Sequence, residues 1–108
     1  MEFLTNVTIN VPEGILDATV EKMKKAEAAR GAELAAQGYL LRLWRPPLRP
    51  GEWRTLGLFR ADNEQELKDI IATLPLHMWM TVEVTPLTAH PNDPSAQQAT
   101  EVSAGGRR

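Results

Sequence analysis

The sequence predicts an α+β domain whose elements run strand, helix, strand, strand, helix, strand. Three observations carry that expectation: period-2 alternation near both ends, a long Ala-, Glu- and Lys-rich stretch closed by a glycine, and a capped amphipathic segment before a proline. At the first end, Val7, Ile9 and Val11 alternate with Asn6, Thr8 and Asn10, as in a half-buried strand. After Pro12 and Gly14, residues 15–37 read as one long helix, and Gly38, lacking a Cβ, suits its C-terminal cap. Tyr39 to Arg45 is a strand candidate. Pro46, Pro47, Pro50 and Gly51 break it before Trp53 to Arg60 resumes an extended apolar pattern, so the two should pair as a hairpin. Asn63 followed by Glu66 is a capping-box arrangement, and Leu67, Ile70, Ile71 and Leu74 recur at i, i+3, i+4 and i+7 in a second helix that Pro75 ends. Met80, Val82 and Val84 then alternate with Thr81, Glu83 and Thr85 as the last strand.

This order is that of the ferredoxin-like split βαβ sandwich, in which helices cover one face of a sheet. The other face must be polar, form a pocket or be buried by a second subunit, and the hairpin and last strand look too apolar to stay wet, so a homo-oligomer is expected. Residues 1–91 read as one domain. Residues 92–108 hold almost no large apolar side chain and read as a tail that is flexible or ordered by a neighbour.

Composition narrows the chemistry. With no cysteine there is no disulfide, thiolate nucleophile or thiolate metal site, and two histidines cannot build an all-imidazole cage in one subunit, so no metal is expected. A net charge of −2 argues against a nucleic-acid binder working by bulk attraction. No apolar run reaches the roughly 18 residues that span a membrane, and no leader pattern opens the chain, so the expected place is the cytoplasm.

Two constellations could carry chemistry. On the first helix the stripe Leu16, Val20, Met23, Glu27, Arg30, Leu34 aims the Glu27 carboxylate toward the core. A positioned carboxylate in an apolar pocket is what proton abstraction next to a carbonyl needs. Desolvation would raise its pKa, whereas Lys24 at i−3 or Arg30 at i+3 would lower it and make the group a structural ion pair instead. The second constellation is Arg42, Arg45, Arg49, Arg54 and Arg60 around the hairpin, where Glu52 is the only acid. Guanidinium forks there could hold a small carboxylic acid, with Trp44 and Trp53 as walls, or could merely guard an exposed edge. Alternation puts Arg42 and Trp44 on one strand face and Leu41, Leu43 and Arg45 on the other, so not all can line one pocket. His77, beside Met78 and Trp79, could shuttle a proton or polarise a ligand, and His90 reads as a loop or cap residue.

The segment from Met23 through Lys24 to Glu27, the strand Leu43, Trp44, Arg45, the run Leu74, Pro75, Leu76 before Met80, and the ending from Glu83 and Val84 through Leu87 to His90 and Pro91 resemble the muconolactone isomerase family. The resemblance covers about residues 1–91. It implies a cofactor-free ferredoxin-like protein, assembled from dimers into a decamer-like ring. It also implies that the protein moves a proton within an unsaturated lactone acid of aromatic catabolism, on the β-ketoadipate route. By the same resemblance Glu27 is the general acid/base, Lys24 helps to bind the substrate carboxylate or stabilise an enolate, and Trp44 and Arg45 match a Trp-Arg pair near the pocket.

The chain also departs from that pattern. Leu56 and Gly57 stand where the family commonly has Tyr-Ser, Ala28 replaces a lysine, Arg60 replaces an acid, and His77, Met78 and Trp79 replace Phe-Pro-Tyr. A lost hydroxyl pair implies a reshaped pocket, because polar donors set discrimination more sharply than methylenes. A dehalogenating or bulkier-lactone variant, or a non-catalytic ligand-binding or ring-forming relative, therefore stands beside the isomerase reading.

Overall fold

The computed structural model describes residues 1–95; residues 96–108 of the expected tail lie outside the described residues. Its elements are β1 (Glu2–Ile9), α1 (Asp17–Ala36), β2 (Leu40–Trp44), β3 (Arg54–Arg60), α2 (Glu64–Ile71), a single 3₁₀ turn (His77–Trp79) and β4 (Met80–Leu87). The four strands form one sheet in the order β2-β3-β1-β4, with every neighbour pair antiparallel. This is the expected ferredoxin-like arrangement, and the helices lie on one face.

Most boundaries move by one or two residues, α1 starting at Asp17 with Leu16 as its N-cap, and two shifts have a clear physical cause. β1 stops at Ile9, so Val11 lies beyond the ladder: the Ile9 and Asn10 amides bond the Trp53 and Trp79 carbonyls instead. α2 stops at Ile71, before Pro75, and Leu74 packs on the core from the turn that follows. A residue preceding proline is disfavoured in the α region, so the turn before Pro75 leaves the helix early. At its other end Asn63 Oδ1 accepts the Glu66 N–H at 2.8 Å, while Glu66 reaches back to the Asp62 N–H. The reciprocal pair thus extends one residue further out than in the usual box.

The core is Phe3, Leu34, Phe59, Ala61, Leu67, Ile70 and Ile71. Burial along the α1 stripe rises toward the C-terminal end, from Leu16, 72% exposed, to Leu34, 1% exposed. Val20, Met23, Glu27 and Arg30 are half-buried between them. A β-bulge at Leu41 breaks the alternation of β2, because Leu40 opposes Phe59 while Arg42 opposes Leu58. Leu40 and Leu43 therefore both face α1, and Arg42 and Trp44 face the open side, where the guanidinium stacks on the indole at 5.1 Å. That open side also carries Leu4, Leu56 and Leu58, all half-buried.

Gly57 is required by close approach. A Cβ there would meet the Thr5 hydroxyl at 2.9 Å and the Phe59 ring at 3.1 Å. Thr5 is fully buried, and its Oγ1 donates to the Gly57 carbonyl at 3.2 Å, so it has no room to yield. Gly57→Ala should destabilise the fold by about 1–3 kcal/mol, the usual cost of overpacking. Urea denaturation measures this, and an unchanged midpoint would show that the contact relaxes freely.

Candidate functional site

The sparse packing of α1 against the sheet leaves a cavity of about 400 Å³. Its floor is Thr5, Val7 and Ile9 of β1 with Thr55 and Gly57 of β3; its roof is Lys24, Glu27 and Ala28 of α1; Arg45 and Trp53 stand in the hairpin wall. Strand alternation selects the floor and the helical stripe selects Glu27, so two independent periodicities meet in one space.

Glu27 is half-buried, and its Oε1 accepts the Leu76 N–H at 2.9 Å. Leu76 follows Pro75 beyond the end of α2, so this main-chain donor is outside any helix ladder. Burial pushes the Glu27 carboxyl above its ordinary value, and the Leu76 hydrogen bond partly opposes that rise. Neither flanking cation forms an ion pair with it. Lys24 lies 3.3 Å from Glu21 and 5.0 Å over the Trp53 ring, while Arg30 bonds the Thr73 hydroxyl at 3.0 Å and pairs with Glu33. Desolvation therefore governs the group, and the ion-pair reading of Glu27 fails.

Lys24, Arg45 and Trp53 also border a second hollow of about 520 Å³ that opens toward the hairpin, together with Arg54 and Glu52. Arg54 is engaged there by Asn6 and Glu52, which leaves Lys24 and Arg45 as the cations common to both spaces. A small acid could thus place its carboxylate at the mouth and its reacting carbon near Glu27. Among the described residues no three His, Asp or Glu side chains gather closely enough to hold a metal ion.

Of the residues expected from sequence, the structure brings together Glu27, Lys24, Arg45 and Trp53. Arg42 and Trp44 do not line the cavity of this chain, because alternation after the bulge turns them to the open face. His77 is exposed in the 3₁₀ turn and does not line it either, since Leu76 rather than His77 faces Glu27. His90 caps a turn by accepting the Asn92 N–H at 2.9 Å. Sequence reasoning missed Thr5, which shares the parity of Val7 and Ile9 and could have been found by extending that alternation. It also missed the Leu76 amide, which no side-chain pattern announces.

The family described as muconolactone delta-isomerase matches residues 1–93. Muconolactone Delta-isomerase 1 of Acinetobacter lwoffii is 30% identical over 92 residues, covering 85% of this chain and 93% of that protein. The Muconolactone Delta-isomerase of Cupriavidus pinatubonensis is 29% identical over 92 residues, covering 85% and 97%. The crystal structure of a muconolactone isomerase superposes with a TM-score of 0.76 at 26% identity, covering 87% of this chain and 95% of that one. A 5-chloro-2-hydroxyhydroquinone dehydrochlorinase from Burkholderia phenoliruptrix shares the fold, with a TM-score of 0.57 at 13% identity.

A raised carboxyl pKa makes the folded state favour neutral Glu27. Its contribution to stability is complete below the ordinary carboxylate range and is lost as pH rises through the raised value. Glutamine stays neutral and can still accept the Leu76 N–H. The stability of Glu27→Gln relative to wild type should therefore improve as pH rises from about 4 to about 7. Denaturant titrations across that range measure it; a flat trend would show that the Leu76 hydrogen bond cancels the effect of burial, and an opposite one that a lowering interaction sets the ionisation.

Proposed function

The chain belongs to the muconolactone delta-isomerase family and is an isomerase, and we propose that it shifts a proton within a small unsaturated lactone carboxylic acid, with Glu27 as general acid/base. The observation that carries this reading is the Glu27 carboxylate itself, half-buried over the cavity, raised by burial and held by one main-chain N–H. A base of elevated pKa takes a carbon-bound proton more readily near neutrality than an ordinary carboxylate does.

In the proposed step the carboxylate removes a proton from the lactone ring and the electron pair moves into a conjugated enolate. The same carboxyl then returns the proton at a second carbon, so that a C=C bond is transposed. The step balances without a co-reactant. Lys24 and Arg45 bind the substrate carboxylate and stabilise the enolate charge, and Trp53 steadies the Lys24 ammonium from its ring face. Muconolactone is the first substrate to test, because the relatives in Acinetobacter and Cupriavidus bear its name.

The reading includes a cytoplasmic homo-oligomer in which dimers close into a decamer-like ring. Leu4, Leu56 and Leu58 on the sheet face opposite the helices support self-association. No helix among the described residues is long and apolar enough to cross a membrane.

Glu27→Gln should keep the far-UV circular dichroism of the wild type and lose at least about 100-fold in kcat, the scale of a positioned base. Proton NMR of muconolactone in heavy water reads both isomerisation and deuterium uptake. Near-full activity in the variant would remove Glu27 from the base role, and chloride release from a chlorinated lactone would mark the dehalogenating variant. The wild-type kcat/KM should rise with pH through a limb above the ordinary glutamate range, which the rate–pH profile tests.

A further inference from the structure

The cavity over Glu27 does not end at the substrate-sized space already described. An apolar groove of about 410 Å³, open to solvent along Ala32, Ala35 and the 57%-exposed Leu43, lies further along α1 and shares Glu27, Ala28, Leu43, Phe59 and Leu74 with the cavity. Beyond those common walls it is bounded by Gly31, Ala32 and Ala35 on the helix and Leu40 on β2. Among the described residues Glu27 is its one ionisable lining residue. Cavity and groove together run from the cations Lys24 and Arg45 at one end, past the carboxylate, to a wholly apolar end.

Gly57 keeps the space between the shared walls Leu43 and Phe59 free of a side chain. A Cβ at that position would stand 3.3 Å from Leu43 and 3.1 Å from Phe59, the β-strand walls common to cavity and groove. Small side chains on the α1 face then leave the groove unfilled. Gly31 is the clearest case, since a Cβ there would meet only Leu40, at an ordinary 3.8 Å. A ligand matching this polarity gradient carries a carboxylate at one end and an apolar group at the other, on opposite sides of the carbon from which the proton is taken.

Resting on the assignment of Glu27 as the base, we propose that the preferred substrate is a lactone acid bearing a short alkyl chain, and that this chain occupies the groove lined by Gly31, Ala32, Ala35 and Leu40. The carboxylate is held at Lys24 and Arg45, and the alkyl chain leaves water for the groove. Burying it should raise kcat/KM by roughly fourfold per methylene, because transfer of apolar area from water is the whole of its contribution. Gly31 and Gly57 are specificity-determining positions on this account, one shaping the groove and the other keeping the space between the shared walls free.

The test compares kcat/KM of the full chain for muconolactone and for a propyl-substituted muconolactone, in wild type and in Gly31→Leu. Leucine forms helix better than glycine and has space at this position, so the variant should fold. Wild type should prefer the propyl compound by at least about tenfold, and Gly31→Leu should abolish that preference. Wild-type turnover of the parent lactone at least as fast as of the propyl compound would overturn the proposal and leave Glu27 as base untouched. Turnover of neither lactone would overturn both readings. A Gly31→Leu variant that keeps the preference but changes sedimentation would overturn it too, by marking the groove as a contact between copies of this chain.

Discussion

Strand β1 is paired along its length with β3 on one side and β4 on the other, and this double pairing sets the faces of everything else. Side chains alternate along a strand, so a slip of one residue would carry Phe3, Thr5 and Ile9 from the helix side to the open side. With the register held, Phe3 enters the core while Thr5, Val7 and Ile9 pave the cavity floor. The amides at the end of the strand bond the Trp53 and Trp79 carbonyls, so the hairpin and the turn before β4 are both tied to the same strand. The residues that border the cavity mouth inherit their positions from that anchorage.

The cavity exists because one helix face is deliberately underfilled. A core-facing stripe normally carries large apolar residues throughout, but in α1 the stripe holds Glu27 and Arg30, with small residues around them, and buries only Leu34 fully. Arg30 is satisfied at the margin by Thr73 and Glu33. Glu27 is left with the Leu76 amide and a surface of Val, Leu, Phe and Met side chains. The bulge at Leu41 contributes equally, because it lets Leu40 and Leu43 both turn toward α1 while the stacked Arg42 and Trp44 pair is kept on the other face.

The electrostatic balance at Glu27 follows from that geometry. Burial disfavours the charged form, one main-chain hydrogen bond favours it, and burial is the larger effect. An ion pair with Lys24 would have reversed the sign and produced a resting carboxylate of low basicity. Lys24 instead lies over the Trp53 ring and near Glu21, so carboxyl and cation sit on one helix, one turn apart, without neutralising each other. The proposed isomerisation uses that separation, with a cation to meet an incoming carboxylate and a carboxyl to exchange a proton.

Much of this was legible in the residues alone. The four strands, the two helices and their order followed from period-2 and period-3.6 patterns, the α2 cap from Asn63 and Glu66, and the inward aim of Glu27 from its place in the helical stripe, whereas the 3₁₀ turn at His77–Trp79 did not. The separation of Arg42 and Trp44 from Leu43 was equally readable, but the bulge was not, and it puts Leu40 rather than Leu41 on the Leu43 face. Other features were decided only by the tertiary structure. These are the donor to Glu27, the predominance of desolvation over the neighbouring cations, the contact of Gly57 with Thr5, and the exclusion of His77 from the cavity. The reason is one of range. Periodicity is a property of local backbone geometry and is written into consecutive residues. The Leu76 amide, by contrast, lies 49 positions from the carboxylate it bonds, and Thr5 lies 52 positions from Gly57, so packing alone brings them together.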